Sequence, residues 1–334
     1  MSAEAVLLAV VLLTVLTLAV VNGVHDAANA VATSLSTRAL TSRVGLGLVA
    51  VLNVLGALLG DGVARTVGSR LLAVPVAGPG LGLVLSALLG ALAWDLFTWW
   101  RGLPSSSSHA LLGGFTGAGL VAAVTVDVEV LLTQVLLPML LSPLVAILLA
   151  WLLMAALYRL FRDATYGRAI GRFRIAQTVS ASAMALGHGL QDGQKIMGVT
   201  VLALAAAGEG SPGTVPLWVR IAVAAALGVG TYIGGWRLIR TLGWRIVHVD
   251  PVTGFTAETV SSGLLYTSAY VFDAPVSSTH TITASVAGAG ASVTGLRAVR
   301  WRVLRPILTA WVVTVPAAGI VAAACYLLGT LVTG

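Results

Sequence analysis

The chain has 334 residues, of which 58% are hydrophobic and only 9% are charged, and its formal net charge is +7. Soluble domains carry about 25% charged residues, so the mean hydropathy of +0.98 excludes a soluble protein and predicts an integral membrane protein. The basic residues stand between apolar runs, where they indicate the cytoplasmic face and not a nucleic-acid partner. The one cysteine, Cys325, excludes a disulfide within the chain and a cysteine-based metal site.

Apolar runs of about 17 to 25 residues recur along the chain, each long enough to cross the ~30 Å hydrocarbon core of a bilayer. They lack the alternation of strands, and a backbone in lipid needs hydrogen-bond partners within its own segment. We therefore predict an all-α, polytopic membrane protein of about ten to twelve transmembrane segments, several of them interrupted. The predicted segments are 5–21, 44–60, 81–100, 109–125, 129–158, 176–190, 194–208, 216–240, 257–271, 278–294 and 305–332.

The first run, 5–21, leads directly into a short polar sequence, NGVHDAAN, at 22–29. The run follows Glu4 and not a basic cluster, so we expect a retained helix and not a cleaved signal peptide. Carboxylates at membrane depth are costly, so Asp26 is a candidate to bind a cation or to accept a transported proton. The polar side chains of this sequence are Asn22, His25, Asp26 and Asn29.

A second polar sequence, PSSSSH, occupies 104–109 at the start of a predicted segment. Proline fits the first turn of a helix and disfavours helix in the residue before it, so Pro104 predicts a helix start. The hydroxyls that follow would lie beside free backbone N–H groups, which can hold a tetrahedral oxyanion. Alternatively, these small residues only allow close helix packing. The candidate donors are Ser106, Ser107 and Ser108, followed by His109.

A basic sequence at 159–175 divides the chain into two halves. It holds five arginines and one acid, Asp163, which is typical of a cytoplasmic linker. We predict a first transmembrane repeat over 1–158 and a second over 176–334. The sequence 208–213 has an acid and no base, which indicates the outer face.

Both polar sequences recur in the second half in the same order, as HGLQDGQK at 188–195 and PVSSTH at 275–280. In an alignment of the halves, the counterparts of Asn22, His25, Asp26 and Asn29 are His188, Gln191, Asp192 and Lys195, and the counterparts of Pro104, Ser106, Ser107, Ser108 and His109 are Pro275, Ser277, Ser278, Thr279 and His280. This duplication predicts inverted-topology repeats that share one pseudo-symmetric polar site.

Glycine precedes the acid in each half, at Gly23 and Gly189. Glycine lets the backbone leave helical geometry, so we predict a helix break at both positions, as well as at Pro104 and Pro275. Broken or re-entrant helices leave free N–H groups that can hold an anion and free carbonyl groups that can hold a cation.

Lys195 breaks the symmetry, because its counterpart in the first half is Asn29. An ammonium at this position could supply the charge of a bound sodium ion, which favours proton coupling over sodium coupling. Alternatively, Lys195 only pairs with Asp192. His25 and His188 are candidates for proton relay or for orienting the neighbouring acids.

The remaining acids lie near predicted segment ends. Asp95 ends an apolar run among tryptophans, where it could reach the polar site or lie at the membrane interface. We expect solvated or interfacial positions for Asp61, Asp127, Glu129, Asp250 and Glu258.

Enzymes and channels are alternative classes. An intramembrane hydrolase would use His, Asp and Ser, but the sequence has no Gly-x-Ser-x-Gly or His-Glu-x-x-His motif, and catalysis does not need doubled polar groups. An anion channel would favour rings of basic residues over a site with carboxylates. We therefore predict a carrier that is not an enzyme.

The sequences at 22–33, 104–109, 187–195 and 275–280 resemble those of the inorganic phosphate transporter family, the low-affinity bacterial phosphate carriers and their eukaryotic relatives. The resemblance covers both halves in the right order. It implies a multi-pass secondary transporter of the cell membrane, whose broken helices meet at the bilayer midplane, and which moves inorganic phosphate together with protons or sodium. It implies no resident metal or other cofactor, and a homodimer would suit such a carrier.

The resemblance also assigns the substrate and ion sites. The residues carried over from the family's motifs are Asn22, Asp26, Asn29, Asp192, Ser106, Ser107, Ser108, Ser277, Ser278 and Thr279. The chain departs from the family at Gln191 and Asp95, where asparagine is expected. The change at Gln191 leaves the second ion site open, and Asp95 adds a candidate protonatable group. The pair Gln194 and Lys195 is similar to the bacterial, proton-coupled branch, in which a divalent metal can accompany phosphate as part of the substrate.

Two alternatives concern the cargo and the coupling ion. A sodium-coupled phosphate symporter would share the same motifs. Hydroxyl donors alone do not separate phosphate from sulfate or another tetrahedral oxyanion. Phosphate carries a proton at neutral pH and can donate it to Asp26 or Asp192, whereas sulfate cannot, so the two acids favour phosphate.

Overall fold

Helices account for nearly all of the residues that this computed structural model describes, which are 2–70, 78–124, 128–163, 165–210 and 214–333. No strand occurs in these ranges, which confirms the predicted all-α class. Asp127 lies outside the described residues. In chain order, the α-helices are α1 Ala3–Ser36, α2 Ser42–Leu58, α3 Gly62–Arg65, α4 Gly78–Arg101, α5 Ser107–Val121, α6 Val128–Val130, α7 Leu137–Leu160, α8 Tyr166–His188, α9 Gln194–Ala206, α10 Leu217–Ile233, α11 Trp236–Arg240, α12 Pro251–Tyr270, α13 Ser278–Thr294 and α14 Trp301–Thr333.

Wider π-helical segments join or extend several of these helices. They are Thr66–Arg70 after α3, Leu131–Leu136 before α7, Gly189–Gly193 between α8 and α9, and Thr241–Arg245 after α11. A short 3-10 turn, Gly295–Ala298, precedes α14. The basic sequence at 159–175 is only partly a loop, because α7 ends at Leu160 and α8 begins at Tyr166.

The longest apolar helices can cross a membrane. Among the described residues, four helical stretches are long and apolar enough: Ala3–Ser36, Pro79–Arg101, Leu131–Leu160 and Trp301–Leu331. Two bent pairs could add a span each: Ser42–Leu58 with Gly62–Gly68, bent by 63°, and Leu217–Ile233 with Trp236–Arg245, bent by 59°. These four to six candidate spans among the described residues are fewer than the predicted ten to twelve segments, whose number stays a prediction.

The helices of the two halves pack across one another in matching pairs. α1 lies along α10, and α8 with its π-helical continuation lies along α2. In the same way, α5 packs against α14 and α13 packs against α7. Each half thus supplies the packing partner for the polar helix of the other half.

The glycines three residues before the two acids allow close helix contacts of this kind. A Cβ added at Gly23 would lie 2.3 Å from the Leu227 carbonyl oxygen on α10, and one at Gly189 would lie 2.1 Å from the Asn53 carbonyl oxygen on α2. Any side chain would push these helices apart. Glycine at both positions is therefore a packing requirement.

The predicted helix break at Gly23 is wrong, because α1 continues through this residue without interruption. At Gly189 the α-helix changes to a π-helical turn, but the chain stays helical into α9. The close approach of α10 and α2 explains why glycine is present without a turn. The chain leaves helical geometry instead around Pro104 and Pro275, in the non-helical stretches 103–106 and 273–277.

Candidate functional site

Two capped helix starts bring the predicted hydroxyls to the centre of the molecule. The side chain of Ser106 accepts a hydrogen bond from the His109 N–H at 3.2 Å and caps α5. Ser277 accepts from the His280 N–H at 3.1 Å and caps α13. The prolines lie two residues before these caps and not within the first helical turn, so the first turns begin with hydroxyl-bearing residues.

Stacked rings hold the two helix starts together. The ring centroids of His109 and His280 are 4.5 Å apart, and His280 stacks on Trp311 of α14 at 3.8 Å. The Trp311 indole N–H donates to the Pro104 carbonyl at 3.1 Å. The segments that follow Pro104 and Pro275 are therefore in contact, as the predicted shared site requires.

Asp26 on α1 receives hydroxyl groups from both helix starts. Thr279 Oγ1 donates to Asp26 Oδ1 at 3.1 Å, and Ser107 Oγ donates to Oδ2 at 3.4 Å. His25 Nδ1 lies 2.9 Å from Oδ1. Asn29, one helical turn further along α1, donates from Nδ2 to Thr279 Oγ1 at 2.9 Å. This carboxylate thus links both halves of the chain.

Asp192, in the π-helical segment Gly189–Gly193, is held in a similar way. Ser278 Oγ donates to its Oδ2 at 3.1 Å, and Lys195 Nζ donates to Oδ1 at 2.7 Å. The same ammonium donates to Ser108 Oγ at 2.8 Å and to the Val276 carbonyl at 2.5 Å. Lys195 therefore pairs with Asp192 and also connects this acid to the start of α5.

His188 lies between the two acids. Its Nε2 is 2.9 Å from Asp192 Oδ2 and 3.8 Å from Asp26 Oδ2, and all three side chains are buried. A single imidazole thus lies within ion-pair distance of both carboxylates, although its Nε2 forms no aligned hydrogen bond among the described residues. A proton on this nitrogen would interact with both acids.

A chain of hydrogen bonds from α10 sets the tautomer of this imidazole. Thr231 Oγ1 donates to the Leu227 carbonyl at 2.9 Å, so it accepts the bond from Asn53 Nδ2, also at 2.9 Å. The oxygen of the Asn53 amide therefore faces His188 Nδ1, at 3.2 Å. Because this oxygen only accepts, His188 carries a proton on Nδ1, and Nε2 bonds a carboxylate only when a further proton lies between them.

Asn22 lines a cavity beside Asp192. The Asn22 side-chain oxygen is buried and has no hydrogen-bond partner among the described residues. It lines a cavity together with Ser107, Ser108, Asp192 and Lys195. Because this acceptor faces polar groups of both halves, it is available to a hydrogen-bond donor on a bound molecule.

Gln191 does not touch the acids as its predicted ion-coupling role requires. Its Nε2 donates to the Leu265 and Ala274 carbonyls, each at 3.3 Å, and its Oε1 accepts from the Val276 N–H at 3.3 Å. All these contacts are to backbone atoms, so Gln191 positions the segment before α13. His25 also has a contact away from the acids, because its Nε2 lies 3.2 Å from the Thr98 Oγ1 atom.

Three polar residues differ from, or add to, what the sequence predicted: Asp95, Asn53 and Glu258. Asp95 is fully buried, and the Thr98 hydroxyl contacts both the Asp95 carbonyl and His25 Nε2, so Asp95 lies beside the site and not at the interface. Glu258 is also fully buried, so the expected solvated position is wrong. The available signal for Asn53 was a lone amide in the middle of the apolar run 44–60.

The described residues contain one group of His, Cys, Asp and Glu side chains close enough to share a metal ion. It consists of Asp26, His188 and Asp192, whose donor atoms lie within 4.8 Å of one another. Lys195 and the surrounding hydroxyls already bond these oxygen atoms. A metal ion would have to displace the ammonium from Asp192.

Comparisons with known proteins agree with this architecture. The sequence profile described as the Phosphate transporter family matches residues 22–172 and again 162–322. A protein of Bacillus subtilis (strain 168) named probable low-affinity inorganic phosphate transporter is 36% identical over 308 residues, which are 92% of this chain and 92% of that protein. A Mycobacterium tuberculosis (strain H37Rv) protein of the same name is 41% identical over 332 residues, 98% of this chain and 78% of its own length.

A solved structure has the same fold. It is named the sodium-dependent phosphate transporter, and its alignment covers 98% of this chain and 99% of that chain with a TM-score of 0.85. The sequence identity is 22%, so this likeness concerns the fold alone.

Proposed function

Because the chain belongs to the Phosphate transporter family, we propose that it imports inorganic phosphate across the cell membrane by symport with protons. It is a multi-pass membrane protein and not an enzyme. One observation carries the proposal: two carboxylates with an imidazole between them receive the hydroxyls of two helix starts, one from each half of the chain.

Phosphate binding draws on these helix starts. The first turns of α5 and α13 have free N–H groups and carry hydroxyls, and such donors suit a tetrahedral oxyanion. Phosphate still carries a proton at neutral pH, and it can donate to a carboxylate or to the free Asn22 oxygen. Sulfate and other fully ionised oxyanions lack this proton, so they are the weaker alternative cargo.

Proton binding and phosphate binding are coupled because the carboxylates and phosphate compete for the same hydroxyls. Thr279 donates to Asp26 and Ser278 donates to Asp192. A proton taken up by the acids weakens these bonds and frees the hydroxyls for phosphate oxygen atoms. Proton and phosphate then bind more tightly together than apart, which is the linkage that symport needs.

Two features favour protons over sodium as the coupling ion. The tautomer of His188 leaves room for one shared proton between its Nε2 and the acids. The Lys195 ammonium occupies the oxygen of Asp192 that a sodium ion would need. Sodium symport remains the alternative, and a divalent metal could still travel with phosphate as part of the substrate.

We further propose that 1–158 and 176–334 are inverted repeats, and that the site opens alternately to the two sides. The matching packing of α1 on α10 and of α8 on α2 supports this proposal. The basic linker at 159–175 would then lie in the cytoplasm, with the site between the repeats.

Uptake of labelled phosphate into proteoliposomes tests the function. We expect accumulation driven by an inwardly directed proton gradient in sodium-free buffer, together with acidification of the lumen. Unlabelled phosphate should compete, and sulfate should not. Uptake that requires sodium would overturn proton coupling, and the absence of phosphate uptake under either gradient would overturn the function itself.

A further inference from the structure

Glu258 on α12 is a fully buried carboxyl group outside the central site. Thr33 Oγ1 and Ser34 Oγ of α1 donate to its Oε1 at 2.5 and 3.0 Å. On α8, Gln177 Nε2 donates to the same oxygen at 3.3 Å, and Ser180 Oγ lies 2.5 Å from Oε2. All four partners are uncharged, and they come from two helices that also line or lead to the central site.

The partners of this carboxyl group in the described part of the chain are all uncharged. Among the described residues, Glu258 forms no ion pair with a Lys, Arg or His side chain. α12 packs against α1, α3, α7, α8, α13 and the segment Gly189–Gly193, and the side chains from these elements that hydrogen-bond Glu258 are the hydroxyls and the amide already named. An ionised acid in an apolar interior needs a counter-ion or a proton, and in a proton symporter the available partner is the proton.

The Ser180 hydroxyl can serve both forms of the acid. It lies within hydrogen-bond distance of two acceptors, Glu258 Oε2 and the Gln177 carbonyl at 3.1 Å, but it has only one proton to donate. When it donates to the Gln177 carbonyl, it can accept a hydrogen bond from protonated Glu258. When it donates to Glu258, it stabilises the ionised form. Rotation of one hydroxyl therefore accommodates both states.

The carboxyl group lies between the central site and the basic end of α1. Asp26, Asn29 and Thr33 share one face of this helix, and the seven residues from Asp26 to Thr33 correspond to about 10 Å along its axis. Beyond Thr33, Thr37 donates to Gln177 Oε1 at 2.7 Å, and the exposed Arg38 follows. Basic residues at this end indicate the cytoplasmic side.

We propose that Glu258 is a second proton site, through which the coupled proton passes between the central acids and the cytoplasm. The proposal rests on the proton symport described above. The proton leaves the His188 and Asp26 pair, binds the ionised Glu258 carboxylate to give a neutral acid, and then leaves to cytoplasmic water, which restores the carboxylate.

The test compares net accumulation with exchange in proteoliposomes. Equilibrium exchange of labelled for unlabelled phosphate needs no net proton release, whereas accumulation does. We expect Glu258→Gln, which mimics the protonated acid, to lower proton-driven accumulation about tenfold more than it lowers exchange. Glu209→Gln makes the same change at an exposed glutamate and should leave both rates at the wild-type level.

Each outcome bears on the proposal separately from the proposed function. Wild-type accumulation and lumen acidification in Glu258→Gln would overturn the second proton site while leaving phosphate symport intact. If Glu258→Gln loses exchange as well, Ser180→Ala decides: a shifted pH profile of accumulation with exchange retained supports the site, and an unchanged profile overturns it. Uptake of wild type that follows sodium and not protons would overturn both proposals.

Discussion

At the scale of single residues, the central site depends on which atom carries each proton. Asn53 lies outside both polar sequences, yet its amide oxygen fixes the Nδ1 proton of His188 and so leaves Nε2 to the acids. Lys195 acts differently, because its side-chain nitrogen bonds Asp192 directly at 2.7 Å. Asn53 therefore acts on the acids through an imidazole, whereas Lys195 contacts one of them itself.

Replacing Asn53 with alanine should weaken the coupling of phosphate uptake to protons more than it weakens the stability of the fold. The change removes the acceptor for His188 Nδ1 and the donor to Thr231, and buried groups left without partners cost about 1–3 kcal/mol. We expect Asn53→Ala to lower proton-driven phosphate uptake and to change its pH profile, measured in proteoliposomes. Thr267→Ala, on the exposed side of α12, serves as the control. A pH profile equal to that of wild type would contradict the role of Asn53.

Replacing Lys195 with asparagine should make uptake respond to sodium. The variant restores the residue found at the matching position of the first half, and it removes the ammonium from Asp192. A small cation can then take the vacated place between Asp192, Ser108 and the Val276 carbonyl. Uptake in sodium chloride and in choline chloride measures the effect, with wild type as the reference. An equal rate in the two salts would show that Lys195 does not replace a cation.

The sequence located the central site but not all of its supporting residues. The paired acids, hydroxyls and histidines were visible because they cluster along the chain and occur twice. Asn53 and Glu258 are single polar residues in apolar surroundings, and their partners come from helices distant in sequence. Such contacts depend on tertiary packing, so a reading of local sequence could not predict them.

At the scale of helices, the predicted breaks occur beside the prolines and not at Gly23. The apolar runs predicted the helices, but Gly23 lies inside an unbroken helix because the backbone of α10 packs directly on it. The interruptions occur before α5 and α13, where proline and a capping serine stop one element and start the next. The contact between α1 and α10 causes this difference, and the sequence of neither helix alone predicts that contact.

The close contact of α8 with α2 gives a test of this packing. We expect Gly189→Ala to lower the free energy of unfolding by about 1–3 kcal/mol, because the added Cβ would meet the Asn53 carbonyl. Gly187→Ala is the matched control, since its Cβ would make ordinary contacts of 3.4 Å or more with side-chain atoms. Unfolding in detergent, followed by intrinsic fluorescence, measures both. Equal stability of the two variants would contradict the packing requirement.

At the scale of the whole molecule, the arrangement of charges predicts which side faces the cytoplasm. Arginines follow α1 and α7, whereas the turn after α9 contains only the acid Glu209. The large apolar side chains exposed along α7 and α14 suit contact with lipid, and the homodimer stays a prediction.

Cysteine accessibility checks this orientation. In a Cys325→Ala background, we expect Glu209→Cys to react with a membrane-impermeant maleimide added to intact cells, because the charge pattern predicts that this exposed position faces outward. Arg162→Cys, at an exposed position after α7, should react only after the membrane is permeabilised. Labelling in the reverse pattern would require the opposite orientation of the molecule.

The ring stack formed by His109, His280 and Trp311 has a consequence for movement during transport. These rings fasten the tips of α5 and α13 to each other and to α14 in the interior of the protein. Helix ends joined in this way do not slide past each other, so we expect the first turns of α5 and α13 to stay fixed to α14 during transport. The surrounding bundle would rock about these first turns, while phosphate stays near the axis of rotation and travels only a short distance itself.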